Sequence, residues 1–217
     1  MTTETLTVPT QDTVDRDERQ RIVEVAIERF GQHGFDVEPS AIAEAAGMST
    51  ERVGSLFGST DSLRKACEEH ILTTIRTAKS EALQSMSPTT WFAELATIES
   101  YAPMMAYLVR SMLHGGALGR GLMRQMIDNA EQYLDEAVRA GSIKPSRDPK
   151  ARAKFLSISN GGGFLLYLNL HENPTDMAAV LRDYGREMVL PALELYTDGL
   201  MTDAGMYEAF LAREAAD

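Results

Sequence analysis

The sequence predicts an all-α protein with a small three-helix unit at its N-terminus and a larger helical domain after it. Apolar residues recur at spacings of three and four through most of the 217 residues, which is the period of a helix with one buried face. No stretch alternates with period two for long enough to form a sheet. A hydrophobic content of 44% is sufficient for a packed core.

The N-terminal part divides into an arm and a first helix. Residues 1–15 are polar and rich in threonine, and we expect them to form a flexible arm. The first helix should run over 16–33, and Gly34 should end it as a C-cap. Its buried face is marked by apolar residues at helical spacing, namely Ile22, Val25, Ala26 and Phe30.

Two short helices should follow, Pro39–Ala46 and Ser49–Leu56, separated by a tight turn at Gly47. Ser49 is a favourable N-cap for the second of them. Together with the first helix they predict a helix-turn-helix domain over 16–62, in which small residues at the turn allow the helices to cross closely.

The larger domain, 63–217, should begin inside a long amphipathic helix that starts at Ser59 or Thr60 and reaches the region of Ser85. Later helix starts are marked by a capping residue followed by proline, at Ser87-Pro88, Asp148-Pro149 and Asn173-Pro174. We expect the remaining helices over 88–96, 98–114, 118–140, 149–171, 174–198 and 203–215.

Composition excludes several classes of protein. No apolar run approaches the roughly 20 residues that a membrane span needs, and the N-terminus lacks the apolar centre of a secretion signal, so we expect a cytoplasmic protein without membrane contact. The single cysteine excludes an internal disulfide. The four histidines show no metal-binding spacing and no phosphate-binding loop is present, so we predict no metal site, no cofactor and no catalytic residue. Nothing favours an enzyme.

Between residues 18 and 65, apolar and small side chains stand at specific spacings. They are Arg19, Ile22, Ala26, Phe30, Gly34 and Phe35, then the run from Ile42 to Ser49, then Phe57, Ser59 and Leu63. This pattern resembles the N-terminal domain of the TetR family of transcriptional regulators, in which the second helix of the pair can enter a DNA major groove. The resemblance implies a homodimeric repressor that binds palindromic duplex DNA and responds to a small-molecule effector. Beyond residue 65 the chain resembles the family in the number, length and order of its helices.

The surface that should contact DNA departs from the family pattern. Gly54 and Leu56 stand where aromatic or histidine side chains are usual, and Thr60 replaces a lysine that binds phosphate. From residue 36 to 63 there are five acids and one base, Arg52, so this segment carries a formal charge of 1 − 5 = −4. We therefore predict weak DNA binding with Arg52 as the main recognition-helix contact. The candidate contacts are Ser40, Ser49, Thr50, Arg52, Ser55 and Thr60.

The same departures favour an alternative hypothesis. The chain would then be a dimer that keeps the fold, binds a small molecule or a protein, and has lost most of its DNA binding. The overall net charge of −11 is opposite in sign to that of proteins that bind nucleic acid non-specifically.

The larger domain contains many methionines and aromatics at apolar positions. Methionine adapts to irregular cavities and aromatic rings form cavity walls, so an apolar or amphipathic effector is predicted, although the same residues could simply fill the core. The candidate effector contacts are Met104, Met105, Leu108, Met112, Met123, Met126, Tyr133, Phe164 and Tyr167.

The helices over 149–171 and 174–198 should form an antiparallel pair, because their connection is short. In TetR-like proteins two long helices near the C-terminus pair with those of a second subunit in a four-helix bundle, so the resemblance implies a homodimer. Three consecutive glycines, Gly161–Gly163, are costly inside a helix, so they indicate either close packing or a hinge.

Overall fold

The computed structural model describes residues 11–85 and 87–215, and these residues form ten α-helices, one 3₁₀-helix and no strand. The α-helices are α1 (Gln11–His33), α2 (Pro39–Ala45), α3 (Thr50–Phe57), α4 (Thr60–Ser85), α5 (Pro88–Ala96), α6 (Ala102–His114), α7 (Gly116–Arg139), α8 (Pro149–Leu170), α9 (Met177–Thr197) and α10 (Gly205–Glu214). The 3₁₀-helix, Ile98–Tyr101, lies between α5 and α6. The predicted all-α class is confirmed.

Helix α1 begins earlier than the sequence pattern predicts. It starts at Gln11, so residues 11–15 of the expected arm are helical, and residues 1–10 lie outside the described residues. The extra turn is held by polar contacts: the Gln11 side chain donates to Asp15 across 2.7 Å, and Asp15 pairs with Arg52. Apolar periodicity gives no signal for a turn of this kind.

The prediction that Asn173-Pro174 starts a helix is wrong. The Asn173 carboxamide oxygen accepts from the Thr175 hydroxyl, and its backbone carbonyl accepts from the Asp176 amide, which forms a turn. Helix α9 begins at Met177, where Asp176 acts as the N-cap and accepts from the Ala179 amide at 3.0 Å. The two other proline starts are correct, since α5 and α8 begin at the prolines that follow Ser87 and Asp148.

The three N-terminal helices and the larger domain share one core. Buried side chains from α1 to α4 form a continuous cluster with Tyr107 and Leu108 of α6 and Leu122 of α7. Helix α4 passes through the expected boundary at residue 62. The division into domains 16–62 and 63–217 therefore stays a prediction from the sequence, and the buried core is continuous across the expected boundary.

Helix α1 crosses α6 at very short range. A Cβ atom on Gly31 would lie 3.1 Å from the Ala106 Cβ and 3.1 Å from the Pro103 carbonyl oxygen, so only glycine fits without displacement. The Arg110 guanidinium donates to the carbonyls of Gly31 and Gln32 and thereby caps the C-terminal end of α1. Helix α6 thus fixes the position of the helix-turn-helix unit.

Helices α8 and α9 run antiparallel, as the short connection between them predicts. The Tyr167 hydroxyl donates to Glu187 at 2.9 Å, and the Tyr196 hydroxyl donates to Asn160 at 3.3 Å. A later residue of α9 therefore contacts an earlier residue of α8, as antiparallel helices require. Their buried side chains, with Val109 of α6, form a second core cluster.

Candidate functional site

The helix-turn-helix is built as the sequence predicts. Helix α2 ends at a turn where Gly47 has φ +68°, a conformation that favours glycine. The Ser49 hydroxyl then caps α3 by accepting from the Arg52 amide at 3.2 Å. The side chains of Val53 and Leu56 are buried in the shared core, so the opposite face of α3 is turned outward. This face is the candidate nucleic-acid interface.

The six candidate DNA contacts lie in different environments. Ser40, Ser49, Thr50 and Ser55 are exposed, whereas Arg52 and Thr60 are half-buried. The Ser55 hydroxyl donates to the Arg52 carbonyl at 2.8 Å, a bond within the helix that water or phosphate could replace. Ser40 lies on α2, Ser49 is the N-cap of α3, and Thr50, Arg52 and Ser55 lie on α3, whereas Thr60 begins α4.

Arg52 is held by two carboxylates of α1. Its Nε donates to Glu18 at 2.7 Å, and its terminal nitrogen lies 2.5 Å from Asp15 and 2.6 Å from Glu18. The hydrogen bond from Arg52 lowers the pKa of Asp15, and the same bond raises the pKa of Arg52, so both groups stay charged. The only base between residues 36 and 63 is therefore engaged within the protein.

The structure shows the surroundings of two departures from the family pattern. Leu56 is only 6% exposed and belongs to the core, so its side chain is not available to DNA. Among the described residues, no atom would lie within 4 Å of a Cβ placed on Gly54, so α3 has open space there.

The nine candidate effector contacts are distributed over three core clusters. Most pack against the shared core: Leu108 is buried in it, and Met104, Met105, Met112, Met123 and Met126 lie partly buried against it. Phe164 and Tyr167 belong to the second cluster, and Tyr133 packs on a third cluster with Leu134. Met105 and Met112 pack against both the first and the second cluster.

Two grooves are formed by other residues, which the sequence reasoning did not single out. One, of about 510 Å³, lies between α4 and α7 and is lined in part by Glu136, which accepts from Arg76, Ser80 and Gln84. The other, about 1010 Å³, is lined by the C-terminal end of α1 and its following loop, by α6, and by the α8–α9 connection. We call this second one the junction groove. Only packing brings its walls together, so no local sequence signal could reveal it.

An apolar stripe runs along the outer face of α8. Exposed apolar side chains recur there at helical spacing, at Phe155, Ile158, Leu166 and Leu170, and Gly162 falls on the same face. Helix α9 adds exposed Leu190 and Tyr196. Monomeric proteins rarely leave such a continuous apolar surface open, so this stripe marks an interaction face.

Other kinds of site receive no support within the part of the chain that the structure describes. In residues 11–85 and 87–215, no three His, Cys, Asp or Glu side chains are grouped so that they could hold a metal ion. None of the helices described there combines the length and the apolar character that crossing a bilayer requires.

The secondary structure of the described residues is entirely helical, and α2 and α3 form a helix-turn-helix whose second helix has an outward face. This arrangement is typical of helix-turn-helix transcriptional regulators. Residues 99–202 match the family model described as the tetracyclin repressor-like C-terminal domain. The chain is 64% identical over 192 residues to the HTH-type transcriptional regulatory protein RaaS of Mycobacterium tuberculosis, covering 88% of this chain and 91% of that protein. The chain therefore belongs to the TetR family of transcriptional regulators.

Solved structures show the same fold. SmeT, the repressor of the Stenotrophomonas maltophilia multidrug efflux pump SmeDEF, is 19% identical with a TM-score of 0.50 over 80% of this chain and 89% of that one. A second solved structure, described as the molecular basis for control of antibiotic production by bacterial hormones, is 23% identical to this chain. Its TM-score is 0.54 over 78% of this chain and 96% of that one.

Proposed function

We propose that this regulator is a cytoplasmic, homodimeric, ligand-responsive repressor that reads palindromic duplex DNA with the outward face of α3. The observation that carries the proposal is the orientation of α3, which buries Val53 and Leu56 and presents Ser49, Thr50 and Ser55. Two such helices about 34 Å apart would enter successive major grooves, and an effector would act by changing that separation.

DNA binding should be weak, because Asp15 and Glu18 compete with DNA for Arg52. A phosphate or base edge must displace two carboxylates before it reaches the guanidinium. The same pairing favours the alternative function, a TetR-fold dimer with little DNA binding, whose partner is a small molecule or a protein.

A mobility-shift series with the DNA upstream of the protein's own gene, run across salt concentrations, tests this proposal. Arg52→Ala should abolish sequence preference, whereas Arg124→Ala, an exposed arginine of α7, should not. Asp15→Asn combined with Glu18→Gln should tighten binding and steepen the logarithmic salt dependence by roughly one unit, because Arg52 is released. Gly54→Tyr with Thr60→Lys should act in the same direction.

The outcomes separate the two functions. Nanomolar binding in physiological salt that survives Arg52→Ala would contradict the proposed role of Arg52. No DNA binding by the wild type or by the released Arg52 variant would leave the alternative function as the better account.

The homodimer is proposed from the apolar stripe on α8. Leu166 is 68% exposed in the single chain, so Leu166→Glu should leave the monomer folded but should dissociate the dimer by placing a carboxylate in the interface. Leu181 is 3% exposed and Leu165 packs in the same core cluster, so glutamate at either position would unfold the chain. Sedimentation velocity with circular dichroism distinguishes these results, and a wild type that is monomeric at micromolar concentration would remove the proposal.

The internal effector is proposed to lie where Met105 and Met112 join two core clusters. Binding of the fluorescent probe anilinonaphthalene sulfonate should fall in Met112→Trp, which places a bulkier side chain between the two clusters, and should persist in Leu118→Trp on the surface of α7. Equal binding by both variants would argue against an effector at this place.

A further inference from the structure

The junction groove has the dimensions of a small-molecule site. Its volume of about 1010 Å³ is at the upper end of the range of roughly 300–1,000 Å³ for ligand pockets. None of the nine candidate effector residues lines it, although Val109 and Leu168 of the second core cluster do.

The floor of the groove is apolar. Ala106 and Val109 of α6 and Leu168 of α8 contribute to it, and Leu113 stands at its side with 72% of its surface exposed. A leucine that the fold leaves uncovered inside a concave surface favours an occupant with an apolar body.

The rim of the groove is acidic. Glu28, Asp36 and Asp176 line it, and the only lysine or arginine among the lining residues is Arg110. The Arg110 guanidinium donates to the Gly31 and Gln32 carbonyls, so these donors are not directed at an occupant. With the lining histidines counted as neutral, the formal charge is 1 − 3 = −2, which is complementary to a cation.

The groove joins the two parts whose relative position would control DNA binding under the proposed function. Glu28 and Asp36 belong to α1 and its following loop, whereas Leu113 and Leu168 belong to the larger domain. It lies beside the crossing at Gly31, where the two helix backbones touch. A molecule bound there contacts both walls, so its affinity must differ between orientations of the helix-turn-helix unit.

We propose that the junction groove binds a small amphipathic organic cation, with its apolar body on the α6 floor and its charge between Glu28 and Asp36. Occupancy then biases the position of α1 and hence of α3. This second part rests on the proposed function, whereas binding itself does not.

The test uses two probes of the same shape and opposite charge, tetraphenylphosphonium and tetraphenylborate. Equilibrium dialysis of the wild-type protein should show binding of the phosphonium, weakened by added salt, and much weaker binding of the borate. Glu28→Gln and Asp36→Asn should each reduce phosphonium affinity about two- to fivefold, as expected for a partly exposed ion pair. Asp176 is left unchanged because it caps α9.

Matched controls separate the groove from the rest of the surface. Glu24→Gln lies one turn before Glu28 on α1 and outside the groove lining, so phosphonium binding should stay at the wild-type level. Leu113→Ser should weaken binding, whereas Leu118→Ser, also an exposed leucine but outside the lining, should not. Circular dichroism confirms that each variant is folded.

Equal affinity for both probes, or wild-type phosphonium affinity in the combined Glu28→Gln and Asp36→Asn variant, would overturn the site. A loss of binding in Met112→Trp with wild-type affinity in the groove variants would place the cation in the interior and would also overturn it. Mobility shifts run in parallel report on the DNA function separately, because binding to the groove is measured without DNA.

Discussion

Because α6 packs closely against α7 at Gly119, we expect a side chain at this position to destabilise the protein. This residue is buried in the first turn of α7, and a Cβ there would lie 2.5 Å from the Ser111 carbonyl oxygen of α6. The clashing atom belongs to the backbone, so Gly119→Ala must displace one helix from the other. Gly121 lies two residues further along the same helix, and no atom of residues 11–85 or 87–215 would contact a Cβ there within 4 Å. Gly121→Ala is therefore a matched control.

The difference between the two variants measures the steric cost alone. Each alanine gains about 1 kcal/mol of helix propensity over glycine, and only Gly119→Ala adds an overpacking cost of about 1–3 kcal/mol. Gly119→Ala should therefore have a lower free energy of unfolding than Gly121→Ala by about 1–3 kcal/mol. For a chain of this length, the corresponding separation in Tm is about 2–12 °C.

Urea and thermal unfolding followed by far-ultraviolet circular dichroism measure both quantities. All proteins are compared at one concentration, because dimerisation makes Tm depend on concentration. Equal stability of the two variants would refute the close approach of α7 to the Ser111 carbonyl.

Three further predictions follow from single residues. Within the part of the single chain that the structure describes, a Cβ on Gly162 would have no neighbour within 4 Å, so Gly162→Ala should raise monomer stability by about 1 kcal/mol. The same change should weaken a dimer that packs on α8, and a tighter dimer in sedimentation equilibrium would contradict this. Burial raises the pKa of the Glu68 carboxyl above its ordinary value of 4.5. The stability that the protonated carboxyl contributes is therefore fully present below pH 4.5 and is lost as the pH rises through the raised pKa. Glu68→Gln should lack this loss in urea unfolding across a pH series, and an unchanged pH dependence would exclude Glu68 as its source. Burial raises the pKa of the Cys67 thiol to about 12, so the folded protein should react slowly with iodoacetamide. The labelling rate should not exceed the rate at which the protein unfolds, and rapid labelling would show an accessible thiol.

The sequence by itself determined the class of fold and most helix ends. Ser49 caps α3, Asp148 caps α8 by accepting from the Ala151 amide, and Gly34 ends α1 with φ +92°. Each of these signals acts across three or four residues, so it can be recognised in the chain before any folding. The resemblance over residues 18–65 depends on the same short spacings, and the family it indicated is confirmed.

Only the tertiary structure decided which partners the functional side chains have. Arg52 meets Asp15 and Glu18, which are 37 and 34 residues away in sequence, so no local pattern shows that the main base of the recognition helix is already paired. The leucines of α8 and α9 look alike in sequence, yet Leu181 is buried in the chain's own core while Leu166 faces outward. The helical period of apolar residues indicates that a helix has a buried face. The packing of the other helices determines which of these residues are buried within the chain and which stay exposed for contact with a partner.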